Sequence, residues 1–144
     1  MAADGPAPVR SSAEIEIAAP PQLVWEVLTR FENWPNWNPE VKSMSFAGPL
    51  APGSEFRWKA GPGTIVSTLE RIEPPQYVAW RGRTLTINAY HEWWLEPQNG
   101  GTYVRTEESF SGLLARLLRR TLQKTLDRSL QDGFEHLKRE AERH

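Results

Sequence analysis

The sequence predicts an α+β fold in which a curved antiparallel β-sheet wraps around one long C-terminal α-helix. Three observations lead to this prediction. Short segments of alternating apolar and polar residues recur up to residue 110 and are separated by glycine and proline. The dipeptide Asn99-Gly100 joins two of these segments, as expected for a two-residue hairpin turn. From residue 113 onward the pattern changes to the period of an amphipathic helix.

The N-terminal segments begin the sheet. Residues 1–8 are small, polar and proline-rich, so we expect a flexible tail. From Val9 the chain becomes strand-like, and strict alternation up to Ile17 predicts a half-buried strand. Pro20-Pro21 ends this strand and opens a short amphipathic helix. Residues 31–39 are interrupted twice by proline, so we expect at most a short helix there, acting as a lid or rim.

Four further strands and the hairpin predict a six-stranded meander. The four strands are expected at residues 41–46, 54–59, 64–72 and 77–83. Gly-Pro or Pro-Pro pairs punctuate this region. Because strands joined by short turns pair with their neighbours, the meander should be antiparallel.

The hairpin turn fixes which residues face each other. With Gln98 opposite Gly101, the pairs on one side of the ribbon are Leu95 with Val104, Trp93 with Thr106, and His91 with Glu108. The other side is rich in charge and suits water. We therefore expect the titratable pair His91 and Glu108 to face inward among apolar neighbours.

The C-terminal helix is expected to run from Leu113 to about Arg143. Its apolar row consists of Leu114, Leu118, Leu122, Leu126, Leu130, Phe134 and Leu137. Steps of four residues exceed the helical turn, so the row drifts and the helix should lie diagonally across a twisted sheet. A second row carries smaller groups, namely Thr121, Thr125, Ser129 and Gly133. These would leave space, which predicts an internal hydrophobic cavity between sheet and helix.

Composition argues against several classes of function. The 144 residues suffice for one domain, which we place at residues 9–144. A formal net charge of -1 gives no overall positive field for nucleic acid. The absence of cysteine removes thiolate nucleophiles and suits a reducing compartment, so a cytoplasmic location is expected. No apolar run suits a signal peptide or a membrane span, and we expect a soluble monomer or weak homodimer.

Seven tryptophans are the main outlier in this composition. Large rings either fill a core or line a site for a flat, apolar ligand. Alternation within the strands places the following ring residues on the inward face: Phe56, Trp58, Trp80 and Trp93. In the proline-broken segment, Trp37 with Asn38 is the preferred ligand contact. Thr106 beside Trp93, and Leu117, Thr121 and Thr125 on the helix, are expected to complete the wall.

Several motifs together carry a family resemblance. They are Ala19-Pro20-Pro21, residues 24–28, 34–39, 53–54, 73–75, 80–82 and 91–97, Gly101-Thr102 and residues 108–113. In this combination they resemble the START-like superfamily (SRPBCC), in its polyketide cyclase/dehydrase-like branch, over nearly everything after residue 9. The resemblance implies a helix-grip fold, in which the sheet grips the C-terminal helix around a deep cavity for lipids, sterols, polyketides or other hydrophobic molecules.

Three functions remain open from the sequence. The first is binding of a small hydrophobic, ring-containing ligand that His91 and Glu108 anchor. The second is a cyclase, aromatase or dehydratase in which His91, oriented by Glu108 through one ring nitrogen, exchanges protons through the other. The third is a regulatory or chaperone-like interaction module with a vestigial cavity, which a tightly packed interior would favour. For the pair itself, a purely structural hydrogen bond is the alternative.

No cofactor and no metal are expected. Two ligands without a third histidine or cysteine do not complete a zinc or iron site. The first half of the last helix has a basic side, formed by Arg116, Arg119, Arg120, Lys124 and Arg128. Charge on the outer face of a long helix is usually only solvated, so membrane contact is not expected.

Overall fold

The computed structural model describes residues 7–61 and 63–144 of the chain, so most of the predicted tail lies outside the described residues. The strands are β1 (Val9–Ile17), β2 (Ser43–Phe46), β3 (Glu55–Lys59), β4 (Thr64–Glu73), β5 (Tyr77–Thr84), β6 (Ile87–Gln98) and β7 (Gly101–Ser111). The helices are α1 (Pro21–Thr29), α2 (Trp34–Trp37), α3 (Leu113–Leu117) and α4 (Arg119–Glu142), with a 3₁₀ turn at Phe31–Asn33. The predicted α+β fold class is confirmed.

The seven strands form one antiparallel sheet in the order β1-β7-β6-β5-β4-β3-β2. The hairpin register is the one that the turn predicts, since Gln98 faces Gly101 and His91 faces Glu108. Asn99 and Gly100 both have positive φ angles, of 52° and 81°, as a type I′ turn requires. The turn chemistry therefore determines which face of the hairpin carries His91.

The proline-broken segment is part of the core and not a separate lid. Phe31 is fully buried and stacks on Phe56 with ring centroids 4.2 Å apart. Trp34 and Trp80 meet Phe31 at 5.2 and 5.5 Å. The indole Nε1 of Trp34 donates to the carbonyl of Leu28 at 2.9 Å. Of the two tryptophans in the segment, Trp34 is thus fixed by packing and hydrogen bonding, which holds α2 at one end of the sheet.

The C-terminal helix is broken, whereas the sequence predicts one continuous helix. Leu118 has φ −107° and ψ 30°, outside the helical range, and separates α3 from α4. The first turn of α3 is held at the end of the sheet, because the backbone N–H of Leu114 donates to Thr86 Oγ1 at 3.2 Å. The break allows α3 to stay there while α4 takes a different direction.

Helix α4 lies against the edge strand β1 and also packs on the inner face of the sheet, where Phe134 meets Trp93 of β6 with ring centroids 5.5 Å apart. Side chains of α4 bond backbone groups along β1 and just beyond it, namely Gln123 to the carbonyl of Arg10 at 2.7 Å, Lys138 to that of Glu16 at 2.9 Å, and Glu142 to the N–H of Ala18 at 2.7 Å. An edge strand exposes unpaired backbone groups, and these contacts satisfy several of them. No helix in the described ranges has the length and hydropathy needed to cross a bilayer.

Candidate functional site

A cavity of about 410 Å³ lies between the inner face of the sheet and the apolar side of α3 and α4. Its wall includes Trp34, Trp37, Asn38, Trp58, Ile65, Trp80, His91, Trp93, Glu108 and Phe110, and from the helices Leu114, Leu118, Leu122, Thr125, Leu126, Leu130 and Gly133. Ligand pockets typically enclose roughly 300–1,000 Å³ and combine an apolar wall with a few polar groups. The cavity therefore has the size and chemistry of a small-molecule site.

The structure brings most of the predicted contact residues together at this cavity. Trp37, Asn38, Trp58, Trp80, His91, Trp93, Glu108 and Thr125 all line it. Four predicted residues do not. Phe56 and Thr106 are fully buried behind the wall, in the aromatic core and beneath His91 respectively. Leu117 and Thr121 are exposed to solvent and lie outside the cavity wall.

Sequence reasoning missed part of the wall. Leu114, Leu118 and Leu122 belong to the row that the sequence assigns to packing, yet they border open space. Gly82 and Ala89 face each other across β5 and β6 and leave room because their side chains are small. Two small residues opposite each other would have indicated open space at this point of the wall. Their pairing could not be predicted from the sequence, because no turn motif fixes the register of β5 against β6 in the way that Asn99-Gly100 fixes the hairpin.

Two indole N–H groups at the cavity are buried without a hydrogen-bond acceptor among the described residues. They belong to Trp37 and Trp93. By contrast, the Nε1 of Trp58, on the same wall, donates to Ser67 Oγ at 3.1 Å. A buried donor that lacks an acceptor costs roughly 1–3 kcal/mol, so such groups are rare unless they serve a ligand or ordered water. Trp37 and Trp93 are thus candidate donors to a bound molecule.

A chain of two hydrogen bonds holds the Nε2 side of the His91 ring. Its Nε2 lies 2.8 Å from Thr106 Oγ1, and that hydroxyl donates to the carbonyl of Glu92, also at 2.8 Å. Since the hydroxyl gives its only proton to Glu92, it must accept from the Nε2–H of the histidine. The neutral ring therefore carries its proton on Nε2 and presents the lone pair of Nδ1. The sequence expectation that one ring nitrogen stays free for proton exchange is wrong, because Thr106 occupies it.

The other ring nitrogen of His91 faces the carboxyl group. Nδ1 lies 3.4 Å from Glu108 Oε1, and the two side chains are 12% and 17% exposed. The rings of Trp80 and Trp93 lie 5.1 and 5.0 Å from the imidazole, centroid to centroid. In these surroundings burial lowers the pKa of His91 to about 3 and raises the pKa of Glu108 to about 8, because each charged form loses its hydration.

At neutral pH the pair is consequently a carboxylic acid beside a neutral imidazole. This state agrees with the hydrogen-bond chain, because a carboxylate facing the lone pair of Nδ1 would be repelled, whereas a carboxylic acid can donate to it. Glu108 lines the cavity, whereas both ring nitrogens of His91 face protein groups, Nδ1 towards Glu108 and Nε2 towards Thr106. No three His, Asp or Glu side chains in the described part of the chain converge as metal binding would require.

Comparisons with known proteins agree with this architecture. A family model described as polyketide cyclase / dehydrase and lipid transport matches residues 8–142. The chain belongs to this family. A search of curated proteins found no match. The predicted resemblance to a polyketide cyclase/dehydrase-like family is thereby confirmed.

Solved structures show the same fold in proteins of low sequence identity. An aromatase/cyclase, ZhuI, from Streptomyces sp. R1128 matches with a TM-score of 0.81 and 18% identity over 93% of each chain. A START superfamily protein from Mycobacterium smegmatis has a TM-score of 0.81 and 15% identity over 93% of this chain and 97% of that one. A hypothetical protein from Helicobacter pylori reaches 0.84 with 18% identity, over 96% and 90% of the two chains. At these identities the likeness establishes the helix-grip fold of the family.

Proposed function

We propose that this member of the polyketide cyclase / dehydrase and lipid transport family binds a small hydrophobic, ring-containing molecule that carries hydrogen-bond acceptors. One observation carries the proposal: two indole donors and the acid form of Glu108 lie on the wall of an otherwise largely apolar cavity. A ligand with a carbonyl oxygen would satisfy one of the two indole donors, whereas a pure hydrocarbon would leave both unpaired.

Burial supplies most of the expected affinity, and the donors supply orientation. Covering ~200 Å² of apolar ligand surface contributes about 5 kcal/mol before the costs of association. One satisfied hydrogen bond adds only about 1 kcal/mol. Aromatic rings on the wall favour flat ligands, since Trp58, Trp80 and Trp93 present large ring surfaces. The donors therefore select between ligands of similar shape.

Two probes of matched shape test this selection. 2-Acetylnaphthalene carries a carbonyl that 2-ethylnaphthalene lacks, so the ketone should bind about five-fold more tightly if one donor reaches it. Trp93→Phe keeps a ring but removes Nε1–H, and should reduce this preference, as should Trp37→Phe if its indole is the donor. Isothermal titration calorimetry measures both constants for each variant.

The control for these variants is Trp94→Phe. Trp94 lies on the same strand but on the outer face, beneath the guanidinium of Arg105 at 4.7 Å, so its loss should leave both constants unchanged. Equal binding of the two probes by the wild type would contradict the role of the donors. Failure of both probes to bind would contradict the cavity as a site for such ligands.

The natural ligand can be sought without guessing its identity. Native mass spectrometry of the protein purified from its own host should show a mass in excess of the chain, and extraction should then yield an apolar, oxygen-containing compound. A preparation of Gly133→Leu serves as the matched control, because that side chain would enter the cavity. The same extra mass on this variant would place the compound elsewhere on the protein.

A catalytic role is the second candidate, favoured by the proton on Glu108 at neutral pH and by the family description. The reaction that suits the site is dehydration of a β-hydroxy ketone. Glu108 would give its proton to the departing hydroxyl, which leaves as water, and the resulting carboxylate would take the proton from the neighbouring carbon as the double bond forms, which restores the acid form of Glu108. In this role Glu108 replaces His91 as the general acid that the sequence suggests.

The model substrate 4-hydroxy-4-phenylbutan-2-one distinguishes the two candidates. Its dehydration to the conjugated enone is followed by ultraviolet absorbance. Catalysis that Glu108→Gln removes, with substrate binding retained, would establish the enzymatic role. Binding without turnover in the wild type would leave ligand binding as the function. The third alternative, an interaction module with a vestigial cavity, needs a filled interior, and a cavity of about 410 Å³ counts against it.

A further inference from the structure

The opening of the cavity is surrounded by exposed leucines. Leu85, in the turn between β5 and β6, is 73% exposed, and Leu118, at the helix break, is 44% exposed. Both also line the cavity, so they lie where it meets solvent. On the outer side of α3, Leu113 and Leu117 are 65% and 70% exposed. We call these four leucines the mouth surface.

Such clustering is uncommon on a soluble protein. In the described ranges, only one other large hydrophobic side chain, Leu50, is comparably exposed. Single exposed leucines need no explanation, whereas several around one opening indicate an interaction site. Leu113 and Leu117 are exposed together because they lie four residues apart on one face of α3, opposite to Ala115, which is fully buried.

Basic residues flank the mouth surface. Residues 109–126 contain Arg116, Arg119, Arg120 and Lys124 and no acidic residue, although the whole chain has a net charge of -1. These four side chains are exposed and form no salt bridge with any described residue. Exposed Arg83 lines the same opening. The surface of an anionic bilayer has a layer of negatively charged headgroups above an apolar acyl-chain region. The exposed leucines suit the apolar region, and the cations that border them suit the headgroups.

We propose that the mouth surface docks on a bilayer that contains anionic lipid, with the leucines entering the interface and the arginines contacting lipid phosphates. The sequence favours a merely solvated basic face, and the exposed leucines beside it change that interpretation. A second copy of the chain fits less well, because a two-fold contact would bring the same cations together. Docking would also let an apolar ligand pass between bilayer and cavity without crossing water, a step that rests on the proposed function.

Vesicle flotation tests the docking without any ligand. The wild type should bind phosphatidylcholine vesicles that contain about 30% phosphatidylglycerol, should bind pure phosphatidylcholine vesicles much less, and should be released at about 0.5 M salt. Arg119→Gln with Arg120→Gln should weaken binding by about five-fold for each charge lost. Leu113→Gln with Leu117→Gln should weaken it without any change in charge.

Matched controls exclude general effects of charge and hydropathy. Arg71→Gln with Arg139→Gln removes two exposed cations, and Arg71 lies near the β4–β5 turn, at the opposite end of the strands from Leu85. Leu50→Gln removes the remaining exposed leucine, and both controls should bind like the wild type. Since Leu113 and Leu117 do not line the cavity, their double variant should still bind 2-acetylnaphthalene as well as the wild type does, which separates docking from ligand binding.

Three results would overturn the docking proposal. The first is equal binding of the wild type and the mouth variants to anionic vesicles. The second is a dimer, seen by light scattering, that Leu113→Gln with Leu117→Gln dissociates while vesicles are not bound. The third is binding to poly-L-glutamate in the absence of vesicle binding, which would indicate an acidic protein partner.

Discussion

Replacing Gly133 with leucine is expected to weaken binding of 2-acetylnaphthalene by roughly ten-fold or more while the protein stays at least as stable. Gly133 lies within α4 and lines the cavity, and a Cβ at this position would meet nothing within 4 Å. A leucine side chain therefore extends into space that the ligand needs. Displacing about four ligand atoms, each contributing ~0.3 kcal/mol or more, accounts for the expected loss.

The free energy of unfolding of Gly133→Leu should stay the same or rise, although its ligand affinity falls. Glycine in a helix interior is about 0.5–1 kcal/mol less favourable than alanine, and leucine is also a good helix former. Gly133→Ala is the intermediate step, expected to raise the free energy of unfolding by up to about 1 kcal/mol with little effect on binding. Glu135→Leu places the same side chain on the solvent face of α4 and should leave ligand affinity unchanged.

Calorimetry and urea unfolding of these three variants check the prediction. Unchanged affinity in Gly133→Leu would mean that the probe binds outside the cavity. A large loss of stability would mean that the space beside Gly133 closes in solution, since filling a packed interior typically costs about 1–3 kcal/mol.

The wild type is expected to lose about 1.5 kcal/mol of stability between about pH 6 and pH 8, and Glu108→Gln should not. The pKa of Glu108 is raised from 4.5 to about 8 by burial, so the folded state holds a proton that the unfolded state releases. The unfolded state therefore binds fewer protons over this range, and the free energy of unfolding falls as the pH rises. Glutamine carries no titrating proton, which removes the effect.

His91 gives a dependence of opposite sign at lower pH. Its pKa is lowered from 6.5 to about 3, so between pH 3 and pH 6.5 the unfolded state binds a proton at His91 and the folded state does not. Stability from this group is present above pH 6.5 and is lost as the pH falls toward 3. Together the two groups predict a plateau at about pH 4.5–6.5, with decreases on both sides.

Urea unfolding at a series of pH values measures both effects. Glu107→Gln is the matched control, because Glu107 is the adjacent residue on the opposite face of β7 and is bound by Arg105 at 2.5 Å. It should keep the wild-type decrease above pH 6.5. A wild type whose stability is flat from about pH 6 to pH 8 would show that Glu108 is ionised in the folded protein, and the acid role assigned to it would fail.

Local patterns determined much of this protein. Alternation and turn residues predicted the strands, and Asn99-Gly100 predicted the register that places His91 opposite Glu108. These features follow from backbone geometry within a few residues, which is why a sequence reveals them. The motif combination correctly indicated the fold and the family.

Tertiary structure decided what lies around the pair. Thr106 hydrogen-bonds Nε2 of His91, and this contact depends on side-chain orientation as well as register. It is the reason why the acid role proposed above falls to Glu108 and not to His91. The break at Leu118 also escaped sequence analysis, because the helical pattern continues through it.

Patterns within short stretches of the chain predicted the strands, the hairpin register, the fold class and the apolar row on the last helix, since all depend on residues that are close in sequence. The path of α4 along β1, the size of the cavity and the exposure of Leu117 follow from contacts formed in the folded protein. These features depend on how α4 satisfies the edge of β1 and how the end of the sheet holds α3, and such contacts join residues far apart in sequence.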